Sequence, residues 1–378
     1  MAHLTPAETR AIDHPDQAGM LAQTLDWAAV NSGSRNLPGL AIMAGKLADA
    51  FAILPGDLRL VDAAAVQAVR TDGALDALAH GQHLHLSVRP QAPLRLLLTG
   101  HMDTVFPPDH AFQSVRWLDD ATVNGPGVAD MKGGIAVMLS ALAAVEASGA
   151  ASGLGYDVLI NSDEEVGSLS SATLISALAR GKAAALTYEP SALPDGTLAG
   201  ARPGSGNFSF VIHGKSAHAG RNPEDGRNAL VAAADLALRF KAAVRPGLAI
   251  NPARIDGGSA NNVVPDLAIL RVNIRPATPD DEADARILNK QLMYQVATQH
   301  DVHIHMHGSF ARPPKPMDAR AAALFALVKA AGADLGLALT HRDTGGVCDG
   351  NNIAACGVPV VDTMGVRGGS IHSADEYM

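Results

Sequence analysis

Residues 94–103 read Leu-Arg-Leu-Leu-Leu-Thr-Gly-His-Met-Asp, a short apolar run, preceded by Pro93 and stopped by Gly100, that leads into a histidine and a carboxylate two positions apart. The run predicts a buried strand, and if extended geometry persists, His101 and Asp103 share one side of it. The downstream chain repeats the theme. Gly133-Gly134 opens a helix with Ile135, Met138, Leu139, Leu142 and Val145 on one face, Asp157 to Asn161 is a second apolar strand, Ser170 to Ala179 a helix, and Ala183 to Tyr188 a third strand. Strands alternating with helices predict an α/β fold on a mixed, largely parallel sheet, whose functional groups belong at the strand ends. Upstream, Leu40, Met43, Ala44, Leu47 and Phe51 keep helical spacing behind Asn36 and Pro38, which predicts a capped lead-in helix.

The pattern changes after Gly204. Strands over Asn207 to His213, Ala249 to Ile255, Leu267 to Arg275 and Val302 to His307, with helices over Asn228 to Val244 and Asp280 to Thr298, give the order β-α-β-β-α-β, the plan of a ferredoxin-like α+β domain. Arg312-Pro-Pro-Lys-Pro316 reads as the return linker, followed by a helix over Ala319 to Ala331 and a strand over Val358 to Val361. The expected organisation is a discontinuous domain of residues 1–203 and 311–378 with an insertion of residues 204–310.

Composition narrows the function. With 378 residues, 47% apolar, 18% charged and a net charge of −9, the chain is an ordinary globular one and a poor binder of phosphate backbones, so nucleic acid is not an expected partner. Two cysteines, Cys348 and Cys356, make no disulfide framework and suit a reducing compartment. The first residues lack the basic tip and apolar run of a secretory signal, and the apolar stretches at 94–98 and 135–145 are too short for a bilayer, so a cytoplasmic protein with no membrane association is expected. His83 and His85, like His303, His305 and His307, alternate along strands and are expected to face solvent.

Five junctions carry groups that do chemistry. His101 and Asp103 follow the first strand, Asp130 sits in the glycine-rich turn before a helix, and Asp163-Glu-Glu165 follows the second strand. Glu189-Pro190 ends the third, and His372-Ser373 lies near the C-terminus. Each alone also fits a bland polar strand end, a helix cap or a solvated acid run. Together His101, Asp130, Glu165, Glu189 and His372 supply two imidazoles and three carboxylates. Two metals sharing Asp130 would each gain three protein ligands and keep an open position, an arrangement of catalytic rather than structural sites. One glutamate of the 163–165 run would then be a ligand and its neighbour a base. No G-x-S-x-G elbow, Walker loop or G-x-G-x-x-G is present, which sets serine hydrolase and nucleotide readings aside.

From about Trp27 to Glu376 these residues resemble the zinc-dependent exopeptidases and deacylases that include acetylornithine deacetylase, succinyl-diaminopimelate desuccinylase, aminoacylase and bacterial glutamate carboxypeptidase. The resemblance rests on Gly100-His-Met-Asp-Thr-Val105, Gly127-Val-Ala-Asp-Met-Lys-Gly-Gly134, Asp163-Glu-Glu-Val-Gly167, Gly214-Lys-Ser-Ala-His-Ala-Gly220 and His372-Ser373. Through Glu189-Pro190 it comes nearest the glutamate carboxypeptidase branch. It implies a zinc held by His101, Asp130 and Glu189, a second held by Asp130, Glu165 and His372, cobalt as a possible substitute, and a hydroxide bridging the two. Glu164 is then the general base and Asp103 the residue that orients His101.

By the same resemblance the insertion is a lid, where His218, Asn262 and Arg275 bind substrate, and through which two copies pair as a homodimer. Arg suits a carboxylate clamp, although pairing with Asp280 would also account for Arg275. Gly345-Gly-Val-Cys-Asp349 resembles a loop beside the site, with Asp349 alternatively a helix N-cap. The implied reaction is amide hydrolysis on an N-acyl amino acid or a C-terminal amino acid. Alternatives on the same scaffold are a dipeptidase or aminopeptidase, or a non-catalytic ligand-binding homologue. Two departures stand out. Thr197 lies where the glutamate carboxypeptidase has a substrate-contacting lysine, which puts a glutamate preference in question. The sequence ends six residues after His372, where relatives continue into a closing helix, and lower stability is the expectation.

Overall fold

The computed structural model describes residues 4–378. In chain order its elements are α1 (Pro6–Asp13), α2 (Gln17–Ala28), α3 (Leu37–Phe51), β1 (Asp57–Val61), β2 (Val66–Val69), β3 (Leu75–Leu78), β4 (His83–Val88), β5 (Leu94–His101), β6 (Arg116–Asp119), β7 (Thr122–Asn124), α4 (Gly133–Ser148), β8 (Leu154–Asn161), α5 (Ala172–Ala179), β9 (Ala184–Thr187) and β10 (Leu198–Ala199). There follow β11 (Ser205–His213), α6 (Ala229–Ala242), β12 (Leu248–Gly257), β13 (Leu267–Pro276), α7 (Pro279–His300), β14 (His303–Arg312), α8 (Ala319–Asp334), β15 (His341–Arg342), α9 (Asp349–Ala355) and β16 (Val360–Val361).

The chain divides into two compact units, the first made of residues up to 64, 79–201 and 316–378, the second of 65–78 and 202–315. This differs from the expected boundaries in two ways. The insertion runs from Arg202 to Lys315 rather than over 204–310, because β14 runs on to Arg312 and Arg202 and Lys315 exchange backbone hydrogen bonds at 2.9 Å. The β2–β3 hairpin, expected in the first domain, belongs to the second, where Arg271 Nη2 donates to the Val69 carbonyl at 2.9 Å.

The first unit is built on a sheet of order β1-β4-β8-β5-β9-β16. β8, β5, β9 and β16 are parallel, while β4 and β1 close one edge antiparallel. Tyr156, Val158 and Ile160 of β8 point to one face, where they meet Leu40, Met43, Leu47 and Phe51 of α3 and Ile135, Met138, Leu139 and Leu142 of α4. Leu97 and Leu159 point to the other face, against Ile175 of α5 and Ile353 of α9. Asn36 caps α3 by accepting from Gly39 N–H at 3.2 Å. With its preceding turn, α4 forms a Val128–Ser148 stretch long and apolar enough to cross a membrane, longer than the expected apolar run. Most of this stretch is buried inside the first unit, which accounts for that composition as a core helix.

Glycine allows α4 to reach the site. A Cβ on Gly134 would lie 2.0 Å from the Tyr188 carbonyl oxygen, so the helix start touches the backbone that precedes Glu189. Gly134→Ala is expected to cost ~1–3 kcal/mol through overpacking against Tyr188, read as a lower unfolding midpoint.

His83 and His85 correct the expectation of solvent-facing histidines, being 1% and 3% exposed. Alternation turns them, unlike Leu84 and Leu86, toward the α5 side of the sheet. Arg59 Nε donates to His85 Nδ1 at 3.2 Å, leaving Nε2–H to donate to Asp157 Oδ1 at 2.8 Å. Lys182 Nζ completes the cluster at 2.7 Å from Asp157 Oδ2. Burial would raise the Asp157 carboxyl, yet His85 and Lys182 hold it at about 2. Asp157→Ala is expected to destabilise by ~3–5 kcal/mol, because it strands buried charge, and denaturant unfolding reads the loss.

The second unit is an antiparallel sheet of order β12-β13-β11-β14 with the connectivity β-α-β-β-α-β, as the sequence predicts. Phe208, Phe210 and Ile212 pack against Ala232, Leu236 and Phe240 of α6 and Leu292 and Val296 of α7. His303 and His305 on the edge strand β14 are exposed and His307 is half-buried.

Candidate metal centre

The site is assembled at the carboxyl ends of the parallel strands, where backbone register sets the spacing. His101 closes β5 and pairs in register with Asn161, the last residue of β8, so the Asp163–Glu165 run begins two residues beyond it. Glu189 follows β9, whose Thr187 is in register with Thr99. Asp130 projects from the turn before α4, and the segment ending in His372 completes the ring.

The two carboxylate oxygens of Asp130 face opposite partners. Oδ1 lies 3.1 Å from His101 Nε2, which is itself 3.7 Å from Glu189 Oε2. Oδ2 lies 3.3 Å from His372 Nε2, which is 3.1 Å from Glu165 Oε2. The sequence-predicted ligand set therefore converges, with Asp130 between two His/Glu pairs. Donor atoms of His101, Asp130 and Glu165 lie within 4.8 Å of one another, as do those of His101, Glu164 and Glu189, so Glu164 stands against the His101 side. His101 is 1% exposed at its side chain and His372 53%, which gives the cluster a closed floor and one open wall.

Asp103 orients His101 less directly than the sequence suggests. His101 Nδ1 donates to the Asp103 backbone carbonyl at 3.0 Å, while the carboxylate Oδ1 is 3.4 Å away. The carboxylate instead accepts the N–H groups of Glu164 and Glu165 at 3.1 and 3.2 Å and the Ser34 hydroxyl at 2.7 Å. Asp103 thus ties the glutamate turn to the β5 end. Ser34 escaped the sequence reading, its one signal being the Asn-Ser-Gly-Ser34 stretch at the edge of the family resemblance.

Cation chemistry fits these donors. Burial and the neighbouring Asp130 push Glu165 up to about 7. Burial, with Asp130 and Glu164 adding repulsion, pushes Glu189 up to about 8 despite His101. Hydrogen bonds to Asp130 and Glu165 raise His372 to about 11. Burial would lower His101, but Glu189 and its hydrogen-bonded acids hold it well above its ordinary value. Protons gather wherever these acids lack positive charge, as expected of a donor set made for cations. Oxygen and imidazole donors without thiolates suit zinc or a similar borderline divalent ion.

Around this centre, Asp349 is the first residue of α9 rather than its N-cap, a place taken by Cys348. Its carboxylate accepts from Asn161 Nδ2 at 2.7 Å and Ser168 Oγ at 2.6 Å, bracing the loop after β8. Thr197 is buried with its hydroxyl 3.0 Å from that of Thr340. In the second unit, Ala219 N–H donates to the Asn262 carbonyl at 2.9 Å, so the His218 and Asn262 loops are neighbours. Both residues are exposed, as is Arg275, whose Nε donates to Asn273 Oδ1 at 3.0 Å.

The sequence profile of peptidase family M20/M25/M40 matches residues 97–378. Carboxypeptidase G2 of Pseudomonas sp. (strain RS-16) is 31% identical over 309 residues, covering 78% of this chain and 72% of that protein. Succinyl-diaminopimelate desuccinylase of Halorhodospira halophila is 27% identical over 301 residues, covering 74% and 77%. Among solved structures, a tripeptidase from Staphylococcus aureus superposes with a TM-score of 0.71 at 23% identity, covering 97% of this chain and 94% of that one. The matched segment holds every residue of the Asp130-centred cluster, from His101 to His372, and on this match the chain belongs to peptidase family M20/M25/M40.

Proposed function

We propose that the chain is a zinc-dependent amidohydrolase that cleaves an N-acyl amino acid or releases a C-terminal amino acid. The observation that carries this is the placement of Asp130 between two His/Glu pairs with Glu164 beside them and one wall open. His101, Asp130 and Glu189 would hold one zinc, and Asp130, Glu165 and His372 the other, with cobalt able to replace either. Bound there, divalent cations supply Lewis-acid polarisation of an amide carbonyl and acidify water. Glu164 accepts the proton of the attacking water and returns it to the leaving amine, a transfer suited to a half-exposed carboxylate that stands beside the His101 and Glu189 donors. Asp103 holds the Glu164 backbone in place, and the buried Thr99–Thr187 strand ends form a rigid floor. The relatives named carboxypeptidase and succinyl-diaminopimelate desuccinylase support this substrate class.

His218, Asn262 and Arg275 are proposed to bind substrate, the first two polarising the carbonyl and Arg275 holding the α-carboxylate. Arg275→Ala is expected to raise KM ~10-fold or more for free acids and little for the corresponding amides or esters. Equal hydrolysis of acids and esters by the wild type removes the clamp. A homodimer through the second unit is proposed on its exposed edge strand β14 and the apolar groove lined by Met293, Tyr294, Ile304 and Met306. A cytoplasmic location is proposed with it. The deciding experiment is a hydrolysis screen of the zinc-loaded protein over N-acyl amino acids, dipeptides and folate-like amides. Turnover of the first or last group is expected. Turnover of free-amine dipeptides alone favours the dipeptidase alternative, and none at all, with zinc bound, favours a ligand-binding protein.

A further inference from the structure

The residues after His372 hold a group for which the mechanism above has no use. Val123 and Met378 exchange both backbone hydrogen bonds at 2.9 Å, and Gly369 and Tyr377 exchange theirs at 3.0 and 3.1 Å. Asn124 Nδ2 donates to the carbonyls of Ala374 at 3.1 Å and Glu376 at 2.6 Å. The segment is thereby pinned on β7 and turns the Glu376 side chain inward. Glu376 is 1% exposed. Its Oε1 accepts from the N–H groups of Ala129 and Asp130, both at 3.0 Å, and its Oε2 from Gly127 N–H at 3.1 Å.

Three amide donors converging from one turn make an anion nest, here closed on a side chain of the same protein. Gly127 permits the convergence, at a φ of 73°. Among the described residues no cation lies within ion-pairing distance of this carboxylate. The buried Lys132 donates to the Val30 carbonyl instead, at 2.9 Å. Lys132 acts on Glu376 as a nearby buried charge without contact, so every hydrogen bond to the carboxylate comes from a backbone N–H, and these dipoles must be well aimed to offset its burial. The turn it clasps carries Asp130, and its own segment begins at His372. Ser370 and His372 have φ of 53° and 62°, left-handed conformations that non-glycine residues hold only where the surroundings enforce them.

We propose that Glu376 is a positioning residue that fixes the Asp130 backbone and the His372 segment against each other, and so sets the geometry of the shared carboxylate. The proposal rests on reading Asp130 and His372 as metal ligands. Glu376→Ala removes all three acceptor contacts. Glu376→Gln keeps a carbonyl oxygen for Ala129 and Asp130 and loses the partner of Gly127. Asp375→Ala, at the exposed neighbour, is the control.

Zinc affinity is measured by competition with a chromophoric chelator, and amide hydrogen exchange is followed in the metal-free protein. Glu376→Ala is expected to weaken zinc ~10- to 100-fold, the usual effect of losing an outer partner of a ligand, and to speed exchange at Gly127, Ala129 and Asp130 selectively. Glu376→Gln should fall between it and the wild type, Asp375→Ala with the wild type. Unchanged zinc affinity with exchange accelerated evenly across the first unit overturns the proposal and leaves Glu376 a structural group. If Glu376→Ala does not fold, the Gln variant decides by the same two readouts. A wild type that binds no zinc refutes the metal reading instead, and selective exchange at 127–130 still tests whether Glu376 holds Asp130.

Discussion

Glu164→Gln is expected to lower kcat by ~10²- to 10⁴-fold while zinc content and KM stay near those of the wild type. The amide keeps the size of the side chain and leaves both His/Glu pairs around Asp130 intact, so the substitution removes a proton acceptor and little else. The backbone is equally undisturbed, since Glu164 N–H still donates to Asp103 at 3.1 Å. Steady-state kinetics with metal analysis on the same sample separate the outcomes. Near wild-type turnover would take Glu164 out of the mechanism, and loss of zinc would make it a ligand rather than a base.

Asp130→Ala is expected to abolish zinc binding in both halves and reduce activity to background. Each Asp130 oxygen faces a different imidazole, at 3.1 and 3.3 Å, so a single substitution removes a donor from both triads. His372→Ala should behave differently, weakening one half and leaving His101, Asp130 and Glu189 to hold about one ion. Elemental analysis of the two variants after identical zinc loading and desalting makes the comparison. Two ions retained by the Asp130 variant would show that the carboxylate is not shared.

The contrast between legible and hidden features follows sequence distance. His101, Asp130, Glu165 and Glu189 could be read because each ends an apolar run or opens one, and strand ends in an α/β layer converge by topology. The β-α-β-β-α-β order was likewise visible, since its periodicities switch cleanly between helix and strand. The buried roles of His83 and His85 were not, because the partner acid of His85, Asp157, is 72 positions away and only the pairing of β4 with β8 brings it near. The β2–β3 hairpin misled for the same reason, its attachment to Arg271 spanning 202 positions. Ser34 and Glu376 act across 69 and 246 positions through one or two polar atoms, and no local pattern marks such contacts.

Metal content and activity followed through one cycle of chelation and reconstitution test the dimetal reading most directly. Active protein should carry about two zinc ions per chain, lose activity in step with their removal, and regain it on addition of zinc or cobalt but not magnesium. Full activity in protein that elemental analysis shows to be free of transition metal would contradict it.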